Sequence, residues 1–304
     1  MFRAVSFLWL LGAWTLLGAA PAWAKDLEEI KEAGVLRHIG IPYAHFVASY
    51  RSLDGEQAQG FDVELIQAFA RHLGVEYRYV PASWRTAVGQ LTGRHAVYAE
   101  GEVVLGEAQA VEGDLVASGV TLLPWRESLV DFSDPYFPSA VWLVARSDSS
   151  MQPIVPSGDV KADIEAVKKL MAQRTVLAMR NSCLDPSLYQ LELTDAEVVL
   201  PKQERQLNEM VPAILNKDAE STLLDVPDIV IALEKWPGQI KVVGPVSEVQ
   251  EMGVVFRRES PQLREAFNEF LAQIRADGTY MALVNKHFPS MPYFFPDFFD
   301  PPQP

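Results

Sequence analysis

The chain has 304 residues, 49% of them apolar, and a formal net charge of −14 from 26 Lys+Arg against 40 Asp+Glu. That length and apolar content supply cores for two domains of ordinary size, while the acidic balance repels nucleic acid and anionic lipid and excludes both as natural partners. Cys183 is the only cysteine, so an intrachain disulfide is excluded and stability has to come from packing.

Residues 1–24 read as a leader rather than as fold. Arg3 gives the charged start, Phe7 to Leu17 the apolar stretch, and Ala22-Trp-Ala24 a small-x-small cleavage site. Gly12, Gly18 and Pro21 interrupt the apolar run, which is short for a membrane span. Cleavage is expected after Ala24. No cysteine follows that could carry a lipid, so the mature chain is expected to be soluble, exported to a periplasm and not a lipoprotein.

The mature chain then alternates strands and helices. A helix from Asp26 to Ala33 stops at Gly34, and strand Val35–Ile41 leads into the loop Pro42–Phe46. Gly60 opens a helix whose apolar residues Phe61, Leu65, Phe69 and Leu73 recur at helical spacing, and Gly74 ends it. Strand Val75–Val80 and helix Trp84–Leu91 follow. Such alternation predicts an α/β sheet, with ligands settling outside the carboxyl ends of its strands.

Farther on, strand Thr175–Met179 ends in the polar turn Arg180–Pro186, which leads to a short helix around Ser187–Leu191. Strand Ser221–Asp225 precedes helix Asp228–Lys235. A helix capped by Ser260 carries the stripe Leu263, Phe267, Phe270, Leu271 and Ile274. The tail, 291–304, crowds aromatic rings between Tyr293 and Phe299; they either pack on the protein's own surface or meet a partner.

One stretch carries chemistry. A buried strand, Leu115-Val-Ala117, runs into Ser118, Gly119 and Thr121, and Arg126 follows five residues after Thr121. Small residues at a strand end leave backbone N–H groups open to a ligand, and a guanidinium offers a planar fork for a carboxylate. A surface arginine paired with Glu127 or Asp131 is the plainer alternative. There is no His-x-x-x-His pair, no Gly-x-Ser-x-Gly and no phosphate loop, so no metal, cofactor or catalytic residue is expected.

The segment Asp114-Leu115, Gly119, Thr121, Pro124, Arg126 and Val130-Asp-Phe-Ser-Asp-Pro-Tyr136 resembles the signature of the amino-acid-type periplasmic solute-binding proteins of ABC importers. The resemblance implies a two-lobed type II periplasmic-binding-protein fold, α/β with mixed, mostly parallel sheets flanked by helices. Two hinge crossovers are expected near Val141–Arg146 and Lys241–Pro245, with residues 25–143 and 246–290 in lobe one and 144–245 in lobe two. It implies capture of a small carboxylate-bearing solute, an amino acid or related organic acid, by a monomer that docks on an ABC permease in the inner membrane.

The resemblance also assigns roles. Arg126, Thr121 and the amides near Ser118 and Gly119 would hold the carboxylate. Asp225 would pair with an ammonium, unless it caps the following helix. Tyr43 and Phe61 would wall the cleft from lobe one, although Phe61 also heads an apolar helix stripe. Trp125 stands where relatives commonly carry Glu and could narrow the cleft or pack under the inserted residues 94–112. Asn181, Ser182 and Cys183 replace the usual Gly-Ser/Thr-Thr turn; Ser182 could still serve, and Cys183 reads as a small buried or cleft-lining residue rather than a nucleophile.

Residues 94–112 are extra relative to that pattern, either a surface hairpin or a lid beside the cleft. Two other readings stay open. One is an exported cyclohexadienyl-dehydratase-like enzyme, which needs a general acid such as Glu204, Glu209 or Asp185. The other is an accessory or sensory module on the same scaffold.

Overall fold

The computed structural model describes residues 26–52, 55–99, 102–201 and 206–300. The expected leader and residues 301–304 of the tail lie outside them, as does Glu204.

The first sheet is assembled from both ends of the chain. Helix α1 (Leu27–Ala33) starts at Asp26, which with Glu29 forms a capping box, and stops at Gly34 in a left-handed conformation. Strand β1 (Val35–Gly40), the hairpin β2 (Ala48–Ser52) and β3 (Gly55–Gln59), helix α2 (Phe61–Leu73) and strand β4 (Glu76–Pro81) follow. The expected helix at 84–91 forms as α3 (Ala87–Thr92), with Trp84 and Arg85 left in the turn before it. After it come the hairpin β5 (Arg94–Ala99) and β6 (Glu102–Ala108), the two-residue β7 (Leu115–Val116), α4 (Pro124–Glu127), β8 (Asp131–Phe132) and β9 (Phe137–Ser139).

The second sheet begins with β10 (Val141–Arg146). It adds helix α5 (Val160–Leu170), capped by Asp159, then β11 (Thr175–Leu177) and β12 (Glu197–Val199). The helix expected near 187–191 is two 3-10 turns, Pro186–Tyr189 and Leu191–Leu193. Helix α6 (Met210–Leu215), β13 (Ser221–Asp225), α7 (Val226–Lys235) and β14 (Ile240–Pro245) complete this half. Strands β15 (Gln250–Met252) and β16 (Val255–Phe256) return the chain to the first half, followed by helices α8 (Pro261–Ala276), α9 (Thr279–His287), α10 (Met291–Phe294) and α11 (Pro296–Phe299).

The two five-stranded sheets have the orders β4-β1-β7-β16-β8 and β12-β11-β13-β10-β14. Each combines parallel with antiparallel pairs: β1 lies parallel to β4 and β7 while β16 runs antiparallel to β7 and β8, and the second sheet repeats that scheme. β9 and β15 pair antiparallel, Ser139 opposite Gln250, in a ribbon between the sheets. All of β10 and β14 pair within the second sheet, so the chain crosses at 137–140 and 246–252, slightly outside the stretches expected from the sequence.

Phe61 is core. Its ring is fully buried, stacks on Tyr136 at 6.1 Å and meets Phe46 and Phe137 edge-on, so it does not wall a cleft. Ser260 makes no side-chain capping bond; the carboxylate of Asp26 instead accepts from Gln262 N and Leu263 N and caps α8 from another helix. In the tail, Phe295 is buried, Phe299 packs edge-on against Phe137, and Arg275 lies over Phe298. Tyr293 is 87% exposed and Phe294 47%, so the tail's rings divide between the protein's own surface and solvent.

The same core holds a buried carboxyl, Asp62, whose Oδ2 accepts from Tyr136 Oη at 2.8 Å and Gly119 N at 2.7 Å. Burial pushes its pKa from 3.8 to about 7 against those two hydrogen bonds. A carboxyl raised on folding stabilises the protein most below its unfolded pKa, and that contribution is lost as pH rises through about 7. Asp62→Asn removes the ionisation with little change of shape. It is expected to stabilise the protein at pH 8 by at most on the order of 4 kcal/mol, roughly 5–10 °C in Tm, with no gain at acid pH. Calorimetric melting at both pH values checks this, and a lower Tm for the variant at pH 8 would mean that the ionised carboxylate is needed.

Candidate functional site

Arg126 sits in the short helix α4 at 5% exposure. Its Nη1 donates to Thr121 O at 2.9 Å, and its guanidinium carbon lies 5.5 Å from the ring centre of Trp84 and 5.1 Å from that of Trp125. The surface-pair alternative is therefore removed: the charge is buried against two indoles. Burial lowers its pKa, opposed by Cys183 and Asp225 across the cleft; a guanidinium still stays charged.

Asp225 ends β13 at 1% exposure. It occupies the N-cap position of α7 but makes no side-chain capping bond. Its Oδ2 instead accepts from Tyr43 Oη at 2.6 Å and from Cys183 Sγ at 2.9 Å, while Oδ1 makes no well-formed hydrogen bond and has the Ser139 hydroxyl beside it. Tyr43 belongs to the first half and Asp225 to the second, so that bond ties the halves together. Burial raises the carboxyl's pKa, against the Cys183 and Tyr43 bonds, the charge of Arg126 and the nearby Ser139 hydroxyl. Asp228, one helical turn into α7, is pushed up to about 7 by burial and then by Asp225. The thiol of Cys183 is also pushed up, by burial and by Asp225. A neutral buried thiol is no nucleophile.

Around Arg126 and Asp225 lie more polar atoms buried without a well-formed hydrogen bond: Thr121 Oγ1, Ser139 Oγ and Gln250 Oε1. Ser139 and Gln250 face each other across the β9–β15 ribbon, and Thr121 bridges to Met252 on the same ribbon. Buried polar groups without partners are uncommon, and a cluster of them beside a buried cation is characteristic of a binding site.

Several expected ligand groups serve the fold instead. Ser118 Oγ accepts from Ile41 N and donates to Ala117 O. Gly119 N donates to Asp62 and Tyr136, so its amide is not open to a solute. Ser182 Oγ donates to Met179 O and accepts from Leu184 N, closing its own turn. Asn181 is in the left-handed region at φ 60, and its Oδ1 accepts from Tyr98 N at 2.8 Å.

That last bond joins the β5–β6 hairpin to the second half. The Tyr98 ring also stacks on Trp125 at 5.4 Å with planes 13° apart. The extra segment thus touches both halves, as a lid would. Beneath it lies a cavity of about 330 Å³, whose lining includes Trp84, Arg85, Val97, Trp125, Arg180 and Asn181. Sequence reasoning missed Trp84, Arg85, Tyr98, Ser139 and Gln250 as site residues. The alternating pattern of the hairpin and the position of Trp84 just after a strand were the available signals.

Two sheets of matching order joined by a ribbon, with a buried polar site between them, define a two-lobed binding protein of the type II periplasmic class. The sequence pattern of the bacterial extracellular solute-binding proteins, family 3, matches residues 38–101 and 97–290, and the chain belongs to that family. It is 23% identical over 292 residues to the membrane-bound lytic murein transglycosylase F of Desulfosudis oleivorans (strain DSM 6200 / JCM 39069 / Hxd3). That match covers 92% of this chain but 56% of the relative, so the chain spans little more than half of that protein. A protein of Neisseria gonorrhoeae described as a probable histidine-binding protein is 26% identical over 248 residues, 79% of each chain.

Among solved structures, an ancestral amino acid-binding protein described as a precursor of cyclohexadienyl dehydratase superposes with TM-score 0.65 at 25% identity, covering 86% of this chain and 98% of that one. The substrate-binding protein AbpA of Streptococcus pneumoniae, solved with L-arginine, gives TM-score 0.66 at 20% identity over 87% and 98%, a likeness of fold. No helix among the described residues is long and apolar enough to cross a membrane.

Proposed function

We propose that the protein binds a small carboxylate-bearing solute, most simply an α-amino acid, between its lobes and delivers it to an ABC permease. The observation that carries this reading is the pairing of a buried Arg126 that has no described acid on it with Asp225, whose Oδ1 makes no well-formed hydrogen bond. Arg126 and Thr121 hold the carboxylate. Asp225 Oδ1, with Ser139 Oγ and Gln250 Oε1 beside it, accepts from the ammonium. Trp84, Trp125 and Tyr43 exclude water and strengthen both contacts. Gly119, Phe61, Ser182 and the Ser118 hydroxyl have no place in the ligand shell, and Cys183 and Asn181 act by positioning Asp225 and the hairpin. The reading includes export to the periplasm by cleavage after Ala24, and action as a monomer.

A dehydratase on this scaffold needs a free general acid. Asp185 accepts from Ser187 N, Ser187 Oγ and Asn181 N, and Glu209 accepts from Gln206 N, so the described candidates are engaged in local caps. Binding without turnover is the better-supported activity.

A melting-temperature screen of the exported protein against the common amino acids and small organic acids tests the reading. A ligand present at 100 times its Kd stabilises by about 2.7 kcal/mol. At least one carboxylate-bearing solute is expected to raise Tm, and prephenate is expected to be left unconverted. No shift with any of them would remove the transport reading.

A further inference from the structure

We propose that the natural ligand carries a second, anionic group at the end of its side chain, as an acidic amino acid does. The proposal rests on the zwitterion reading above and extends it to the compartment that takes the side chain. Trp84, Trp125 and Asn181 line both the narrow apolar slot faced by Arg126 and the larger cavity of about 330 Å³. A ligand whose α-carboxylate meets Arg126 and whose ammonium meets Asp225 has this cavity as the space for its side chain. The volume exceeds what an amino-acid head alone requires and lies at the small end of small-molecule sites.

The charge of the wall is one-sided. Arg85 and Arg180 both line the cavity, from opposite halves of the molecule, and no Asp or Glu stands among its described lining residues. Neither arginine makes an ion pair with a described residue, and both are exposed. In a chain with formal net charge −14, an acid-free wall bearing two cations is a local reversal of the overall field. It favours an anion and repels a side-chain ammonium or guanidinium. Trp84 and Trp125 give the stem between the two charged ends an apolar surface. A guanidinium fork bonds a carboxylate bidentately, so the distal group is a carboxylate or another small oxyanion.

Isothermal titration of the full exported chain with L-glutamate, L-2-aminoadipate, L-glutamine and L-arginine tests this. Glutamate and glutamine share shape and differ in charge. The acidic ligands are expected to bind roughly tenfold or more tighter than glutamine, and arginine weakest. The preference should shrink as salt is raised. Arg85→Gln and Arg180→Gln, both at exposed positions, are expected to weaken glutamate roughly tenfold between them and leave glutamine unchanged. Unliganded melting of each variant controls for folding. Glutamine or arginine binding as tightly as glutamate overturns the anionic assignment while leaving the amino-acid reading intact, as does a glutamate preference that survives in the double variant. Binding of none of the four, with no amino acid active in the melting screen, overturns both.

Discussion

Arg126→Met is expected to lower ligand affinity by roughly 100- to 1,000-fold, about 3–4 kcal/mol, and to leave the unliganded protein at least as stable as the wild type. The two effects have opposite signs for one physical reason. The guanidinium is 5% exposed and has no described carboxylate within ion-pair distance; it rests on two indoles and gives one hydrogen bond to Thr121 O. A buried charge without an acid partner costs desolvation energy, and an apolar side chain of similar length removes that cost. The lost bond to a carbonyl offsets the gain by about 1 kcal/mol. When a carboxylate arrives, the same desolvated charge is worth far more than a surface arginine. Lysine at 126 keeps the charge but not the fork or the flat face over Trp84 and Trp125, so it is expected to rescue little. Titration calorimetry together with unliganded melting separates the cases. Unchanged affinity in Arg126→Met would place the carboxylate elsewhere, and a large fall in Tm would make Arg126 a structural residue.

The fold was legible in the sequence to a greater depth than the ligand shell, and the motif around 113–136 shows why. Asp114 is fully buried and paired with Arg37 at 2.6 Å. Gly119 has φ 57, and a Cβ there would stand 2.7 Å from the Phe46 ring. Tyr136 bonds Asp62. Those residues hold the first lobe together, so reading the Gly119 amide as a ligand donor mistook architecture for chemistry. Arg126 and Thr121 are the part of the motif that the proposed carboxylate would meet. Asp225 was singled out by the resemblance, and it ends a strand, where an α/β sheet places its site. The remaining groups come from segments far apart in the chain: Tyr43 meets Asp225 across 182 positions and Tyr98 meets Asn181 across 83. Helical and strand periodicity report which face of an element is buried. They carry no information about which two elements a hinge brings together, so Ser139 and Gln250 left no local mark.

The hairpin supplies the second large effect. Gln109 N donates to Gly93 O at 2.9 Å, so residues 94–108 can be replaced by an Asn-Gly turn without moving the flanking chain. The hairpin's outer face is exposed, Val104 at 50% and Leu105 at 52%, and the two sheets do not depend on its strands. The shortened protein is therefore expected to fold. What it loses is the bond from Tyr98 N to Asn181 and the stack of Tyr98 on Trp125, together worth about 1–3 kcal/mol toward the closed state. A ligand that needs the closed state feels that loss in full, because its apparent affinity scales with the closed fraction. Affinity is expected to fall roughly 5- to 150-fold, mostly through faster dissociation, since the lid lies over the exit. Stopped-flow dissociation rates for the two proteins read this directly. An unchanged rate would make the hairpin a surface ornament and leave closure to the Tyr43–Asp225 bond alone.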